Sequence, residues 1–397
     1  MDTNYKTNYF GRTKPDHPLA GLARKKEHVD TVGETAPNAA LRILIIAPTL
    51  DIFLGGQAVQ ASRLLQKLNE EPNIHADIQS IGPAFLPSFQ RVKYLRTFLR
   101  MMKYFFDITK KIPRYDVIHI CSSAHASFLM APTLGVLMAK LFGKRTLLNY
   151  RSGQLDQHFA NWSKTLSPTL RLFDKIVTPS GYLVDVFASY GFEARSIFNF
   201  VDSDKFGFRE RSPIRPVFFS NRLLEELYNI PCILRAFGII QNKYPEAKLI
   251  VASFGDQRSH LEAYAKELML ENVEFVGKVS QEEMADLYDK VDIYLNSPNT
   301  DNMPGSILEC YVSGIPVVTT NAGGIPYILE HEKTGLMVEI NDHEAMAAQA
   351  VRLLEDKELG KRLIDNGREA VRKFSWEVVR RQWLEVYGEL TEENRSR

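Results

Sequence analysis

The chain has 397 residues, 45% of them apolar, and 49 basic against 48 acidic side chains leave a net charge of +1. That length exceeds one ordinary core and the apolar content is ample for two, while the balanced charge gives no reason to expect nucleic acid as a partner. No apolar run is long enough to span a membrane, and the three widely spaced cysteines, Cys121, Cys232 and Cys310, read as reduced and structural.

In chain order, residues 1–40 are polar and aperiodic and read as a flexible tail. The start, MDTNYKTNYF, lacks a basic-then-apolar signal pattern, so a cytoplasmic location is expected. The first strand is expected at 41–47 (LRILIIA), followed by a helix over 57–68, with further strands near 76–81, 117–121, 146–150, 176–179 and 196–200. Strands that alternate with helices predict a parallel sheet covered on both faces. Asp51-Ile52-Phe53-Leu54-Gly55-Gly56-Gln57 stands where a Gly-rich turn lets phosphate or sugar approach a helix start, with a plain tight turn as the alternative. Arg151, at the end of the fourth strand, is a candidate for an anionic acceptor or phosphate, or else forms a buried ion pair with Asp156. His119 and His125 point to the same cleft mouth, where the role of a satisfied core or loop histidine is favoured over contact with a ligand.

Segment 90–114, QRVKYLRTFLRMMKYFFDITKKIPR, interleaves aromatic residues with Arg91, Lys93, Arg96, Arg100, Lys103, Lys110, Lys111 and Arg114 against the single acid Asp107. Such a helix suits an anionic bilayer, and Leu95, Leu99 and Met102 equally suit packing on a sheet.

A second series of strands is expected at 217–219, 248–252, 273–275, 293–295, 317–319 and 336–338, with helices between them. The division is therefore 41–205 for a first doubly wound domain and 206–375 for a second, joined through FGFRERSPIRP, with a last helix over 376–397. Ligands of such α/β sheets lie at the carboxyl ends of the strands, here in a cleft between the domains.

The richest segment is DNMPGSILECYVSGIPVVTTNAGGIPYILE, residues 301–330. A helix over 305–313 opens after Pro304 and stops at Gly314, which leaves the amides of Gly305, Ser306 and Ile307 free for phosphate or sugar oxygens. Glu309 sits one turn in, able to accept hydrogen bonds from a pair of ribose-like hydroxyls, and Asp301 lies on the preceding loop, within reach of sugar hydroxyls. Gly323 and Gly324 are expected to let the backbone approach a ligand closely.

This segment resembles the C-terminal half of retaining glycosyltransferases of family four, which carry two acids separated by seven residues; here they are Asp301, in place of the usual Glu, and Glu309. The resemblance continues through PVVTTNAGGIPYIL, EHEKTGLMV and FSWE and covers nearly everything after residue 41. It implies an α/β GT-B fold, two Rossmann-like domains facing across a cleft, with the last helix crossing back onto the first. Asn221-Arg222-Leu223 is similar to the family's Gly-Arg-Leu run, so Arg222 is expected on the donor diphosphate; Leu227 stands where the family has a second cation, and Lys278 is a candidate substitute. Gly255 of Ala252-Ser253-Phe254-Gly255-Asp256 and Val276-Gly277 resemble donor-loop and base-reading positions, and Gly55-Gly56 the loop that closes over the donor phosphate or the acceptor. Where many relatives place a sugar-contacting His, this chain has Arg151.

The resemblance implies a retaining, metal-independent hexosyltransferase with no cofactor, of polysaccharide-biosynthesis type. It would move a sugar from a nucleotide diphosphate donor to a hydroxyl of a glycan or lipid-linked acceptor, at the inner face of a membrane if 90–114 docks there. Asp301, Glu309 and Arg222 are the expected catalytic set; Gly55, Gly56, Gly255, Val276, Gly277, Pro304, Gly305, Ser306 and Ile307 the donor site; Arg151 and His125 the weaker acceptor positions. The alternative is a catalytically degenerate sugar- or nucleotide-binding subunit, prompted by Leu227 and Arg151.

Overall fold

The computed structural model describes residues 40–50, 55–82, 93–122 and 126–395. Strands β1 (Leu41–Ala47), β2 (Ile74–Ser80), β3 (Val117–Ser122), β4 (Arg145–Tyr150), β5 (Lys175–Thr178) and β6 (Arg195–Ser196) form one sheet in the order β2-β1-β3-β4-β5-β6. A second sheet, in the order β12-β11-β10-β7-β8-β9, is built from β7 (Val217–Ser220), β8 (Lys248–Val251), β9 (Val273–Phe275), β10 (Ile293–Asn296), β11 (Val317–Thr320) and β12 (Leu336–Val338). Every pairing is parallel, and in the first sheet Ile45 of β1 lies opposite Ile78 on one side and His119 on the other.

The central strands β3 and β4 are buried along their whole length, as expected of parallel strands covered by helices on both faces. The order in which strands are added reverses between β1 and β3 in the first sheet and between β7 and β10 in the second, the switch points beside which open α/β sheets take their ligands. The two sheets are Rossmann-like layers of the GT-B fold.

Helix Gly56–Asn69 follows β1 and helix Gly305–Ser313 follows β10, both where the periodicity placed them. The second ends as expected at Gly314, whose φ of 72° is the left-handed stop that terminates a helix without a side-chain clash. The strand expected at 196–200 is only Arg195–Ser196, because Phe198 and Phe200 leave the sheet to pack on Phe374 (5.1 Å between ring centres) and Trp376 (5.0 Å).

The last helix, Trp376–Arg395, buries Val379, Trp383, Val386, Tyr387 and Leu390 in one cluster with Ile43, Ile45, Val117 and Leu147 of the first sheet. Those five recur at helical spacing, so one apolar stripe fixes the chain end to that sheet. The basic stretch before β7 is clamped. Arg211 donates to the carbonyls of Val291 (2.9 Å), Tyr288 (2.6 Å), Ser313 (2.5 Å) and Gly314 (3.0 Å), and so caps the negative end of the Gly305 helix. Arg209 and Arg215 pair with the fully buried Asp292, at 2.5 and 2.7 Å. Burial would raise the Asp292 carboxyl, yet hydrogen bonds from Arg215 and Arg209 hold it below its ordinary range. Among the described residues no helix is long and apolar enough to cross a membrane.

Candidate active site in the cleft

A cavity of about 450 Å³ opens between the carboxyl ends of the two sheets. The first sheet contributes Gly55 and Gly56 after β1, Arg63 two helical turns further along, and Arg151 after β4; the second contributes Arg222 after β7, Ser253 after β8, and Asp301, Pro304, Gly305, Ser306 and Glu309 after β10. Residues separated by more than two hundred positions meet here because each sits at the same end of a parallel strand.

Arg222 Nη2 is 2.5 Å from Asp301 Oδ2, and both side chains are nearly closed off from solvent. Its guanidinium stacks 4.3 Å over the Tyr228 ring, and its Nη1 approaches Ser306 Oγ at 3.5 Å. Burial alone would lower the Arg222 pKa; the Asp301 carboxylate, together with the surrounding Tyr228, Tyr294 and Tyr288, outweighs it and raises it. The sequence expectation placed Arg222 on a diphosphate and Asp301 on a sugar, and the fold joins the two side chains to each other.

Glu309 is likewise engaged. Its Oε1 accepts from Arg63 Nη2 at 3.1 Å across the cleft, and its Oε2 accepts from the Tyr288 hydroxyl at 2.9 Å. Tyr288 in turn accepts from Asn221 Nδ2 at 2.9 Å, and burial together with Glu309 pushes its pKa well above the ordinary value. Arg63 was not singled out in the sequence. Gln60 and Arg63 lie off the apolar stripe of Ala58, Ala61 and Leu64 and are buried all the same; polar side chains outside an apolar stripe read as a solvated face, so the sequence carried no signal for them.

Several expected positions serve other purposes. Ile307 is fully buried and its amide donates to Pro304 O at 3.2 Å, so of the three amides expected to be free only those of Gly305 and Ser306 belong to cavity-lining residues. Gly255 does not line the cavity; a Cβ there would lie 2.3 Å from Leu224 O, so the glycine serves a tight crossing of two loops. Val276 is also outside the lining and donates its amide to Val251 O, whereas Gly277 lines the wall. Gly323 and Gly324 approach the protein's own backbone rather than a ligand, since a Cβ on them would lie 2.1 Å from Asp301 O and 2.0 Å from Asn302 O. With the Gly324 amide donating to Asp301 O at 3.0 Å, the glycine pair pins the loop that carries the acid.

Leu227 is partly exposed and lines the cavity, so the missing cation is missing from the wall itself; the exposed Lys278 lines the same wall. Arg151 donates to Asn199 Oδ1, while Asp156 accepts from the Tyr190 hydroxyl at 2.8 Å, so the Arg151–Asp156 ion pair is not formed. His119 is fully buried, 2.7 Å from the Tyr387 hydroxyl and stacked on Trp383, and burial depresses its pKa to about 3. That is a core histidine away from the cavity. His125 lies outside the described residues.

Residues 202–370 match the family model of glycosyl transferases group 1. Among curated proteins, the chain is 25% identical over 214 residues to N-acetyl-alpha-D-glucosaminyl L-malate synthase of Bacillus anthracis, covering 51% of this chain and 56% of that one. It is 26% identical over 296 residues to phosphatidyl-myo-inositol mannosyltransferase of Mycobacterium tuberculosis, covering 69% and 73%. The chain spans about half the length of most of the curated relatives it matches. Among solved structures, sucrose-phosphate synthase of Thermosynechococcus elongatus superposes with a TM-score of 0.72 at 20% identity, over 89% of this chain and 100% of that one. Anabaena HepE in complex with UDP-glucose superposes with a TM-score of 0.70 at 16% identity, over 88% and 100%. The stretch from 202 to 370 is thus similar to glycosyl transferases group 1, and the structural likeness shows the GT-B fold.

Proposed function

We propose that the chain is a retaining hexosyltransferase that moves a sugar from a nucleotide diphosphate donor to a hydroxyl of a glycan or lipid-linked acceptor. The observation that carries this reading is the convergence of Arg222, Asp301, Glu309, the Gly305 helix start and the Gly55-Gly56 turn on one cavity between two sheets. Glu309 holds the ribose, Asp301 meets the transferred sugar, and Arg222 with the amides at Gly305 and Ser306 takes up charge on the departing diphosphate. No metal is assigned a role, because guanidinium, helix start and Lys278 meet the diphosphate charge. The Anabaena protein's complex with UDP-glucose supports a nucleotide-sugar donor, and the mycobacterial relative's name supports a lipid acceptor.

Helix Lys93–Lys111 fits delivery of such an acceptor at an anionic bilayer on the inner face of a membrane. It buries Tyr104 and Ile108 in one cluster with Ile118, Ile120 and Leu148 of the first sheet, so the packing face exists, yet it also exposes Phe98, Met102 and Phe106 four residues apart beside Lys103 and Lys110. Part of 90–114 lies outside the described residues. The second reading, a binding subunit without turnover, rests on Leu227 and on the pairing of Arg222 with Asp301. Incubation of purified protein with a panel of UDP-, GDP- and ADP-sugars decides between them. Hydrolysis or transfer of any donor supports the enzyme, binding without turnover supports the subunit, and neither removes both.

A further inference from the structure

Among the described residues the cavity is lined by three guanidinium groups, and they are not equivalent. Arg222 is paired with Asp301 and Arg63 with Glu309, so each of those charges is balanced by a carboxylate within 3.1 Å. Arg151 lines the same cavity, and the partner it donates to is the neutral amide oxygen of Asn199. Among the described residues no carboxylate lies within ion-pair distance of it; Asp156 is bound to Tyr190, and Asp301 to Arg222. Burial lowers its pKa from the ordinary arginine value, but an arginine remains charged in a protein. An enclosed cation without a counter-charge is unfavourable unless an anion completes it.

Its place in the cleft says which anion. Arg151 stands at the end of β4, and its carbonyl accepts from Asn302 Nδ2 at 3.3 Å. The backbone of the neighbouring Gly153 packs against Asp301, where a Cβ would lie 3.0 Å from the Asp301 carbonyl carbon. Arg151 therefore lies on the first-sheet side of Asp301, whereas the proposed diphosphate site, with Arg222, the Gly305 helix start and Lys278, lies on the second-sheet side. Asn199 fixes the guanidinium from behind, since its own Nδ2 donates to Met303 O at 2.9 Å.

We infer that Arg151 seats an anionic group, a phosphate or a carboxylate, carried by the acceptor, so that the acceptor is an acidic hydroxy compound rather than a neutral sugar. This rests on the transferase reading, in which the first-sheet side of Asp301 is the acceptor side. The planar fork of arginine suits a two-oxygen acid group, and its remaining N–H groups have no acceptor among the described residues.

The test uses wild-type protein, Arg151→Gln and Arg151→Lys in calorimetric titrations. UDP, GDP and ADP are titrated first; the best of them is then held at saturation while sn-glycerol 3-phosphate, glycerate and glycerol are titrated in turn. Wild type is expected to bind one of the two acids at least about tenfold more tightly than glycerol, Arg151→Gln to lose that preference, and Arg151→Lys to keep part of it. Nucleoside diphosphate affinity should change less than twofold, and Arg151→Gln should melt no lower than wild type, because it removes an uncompensated charge. A tenfold loss of nucleoside diphosphate affinity in Arg151→Gln would assign Arg151 to the donor and overturn the inference. Equal binding of the acids and glycerol by wild type, or an acid preference that survives in Arg151→Gln, overturns it too, as does a lower melting point with unchanged acid binding, which marks a structural arginine. Should wild type bind none of the three nucleotides, the transferase reading fails by itself, and the acid titrations without nucleotide still decide what Arg151 binds.

Discussion

The two walls of the cleft are built on opposite electrostatic plans. On the second-sheet wall both acids are already engaged and, among the described residues, the exposed Lys278 is the remaining charge: Asp301 holds Arg222, Glu309 is held by Tyr288 and, from across the cleft, by Arg63, and the loop between β10 and its helix is pinned by Gly323 and Gly324. The first-sheet wall presents Arg151 against a neutral amide. A wall whose charges are mutually paired is preorganised, and a ligand there exchanges one set of hydrogen bonds for another at little cost in reorganisation. A wall with an unbalanced charge is completed by its ligand.

The sharpest way to break the preorganised wall is to move its loop. Gly324→Ala would place a Cβ 2.0 Å from Asn302 O and force the Asp301 segment outward; displacement on the order of 1 Å in a positioned group lowers turnover by about a hundredfold. Steady-state rates and a thermal melt check this, and a near-wild-type rate would show that the loop is not held by the glycine pair. A smaller effect separates the two acids. Glu309→Gln should weaken nucleotide-sugar binding and cut turnover by at least about tenfold, having lost the charge that Arg63 and a ribose share. Asp301→Asn should lower the rate while leaving nucleoside diphosphate binding unchanged or tighter, since Arg222 is freed from its carboxylate. If both variants respond alike to free nucleotide, the division of roles between the acids is wrong.

Adding charge sharpens the comparison from the other side. Leu227 is partly exposed and on the wall, so Leu227→Lys should place an ammonium in the cavity and tighten nucleoside diphosphate binding by about fivefold at low salt, with the gain fading as salt rises. Unchanged binding with a lower melting point would mean that the new lysine is buried away from the site.

The smallest effect concerns the interior of the first sheet. His119 has its pKa lowered by burial from 6.5 to about 3, so the unfolded chain takes up the proton first as pH falls. The stability it contributes is complete above 6.5 and is lost toward 3, by about 1.4 kcal/mol per pH unit within that window. Urea unfolding of wild type and His119→Gln between pH 7 and pH 4 should give a shallower slope for the variant, and equal slopes would remove His119 as a source of acid lability.

Most of the fold was written locally. LRILIIA, VVTT and LMV are short apolar runs bounded by turn residues, and Pro304 and Gly314 bracket a helix because one lacks an amide and the other tolerates positive φ. Such signals act over a few residues, so periodicity finds them, and the alternation of strands with helices then implies parallel sheets. The same locality explains the misses. Nothing near Phe198 says that it will leave the sheet to meet Phe374, and nothing near Gly323 says whether its close neighbour is a ligand or Asp301.

The sequence by itself determined which residue types stand at the ends of the strands: the Gly-Gly turn, Arg151, Arg222, and the two acids around the Gly305 helix. Only the tertiary structure decided how their charges are shared. Arg63 and Glu309 are 246 positions apart and Arg222 and Asp301 are 79 apart, and strand order and register bring them within hydrogen-bond reach. Whether an arginine meets a carboxylate or an amide depends on a few ångströms of side-chain reach across that frame. Spacing along the chain carries no record of it, which is why Arg222 and Arg151 could both be found in the sequence while the difference between them could not.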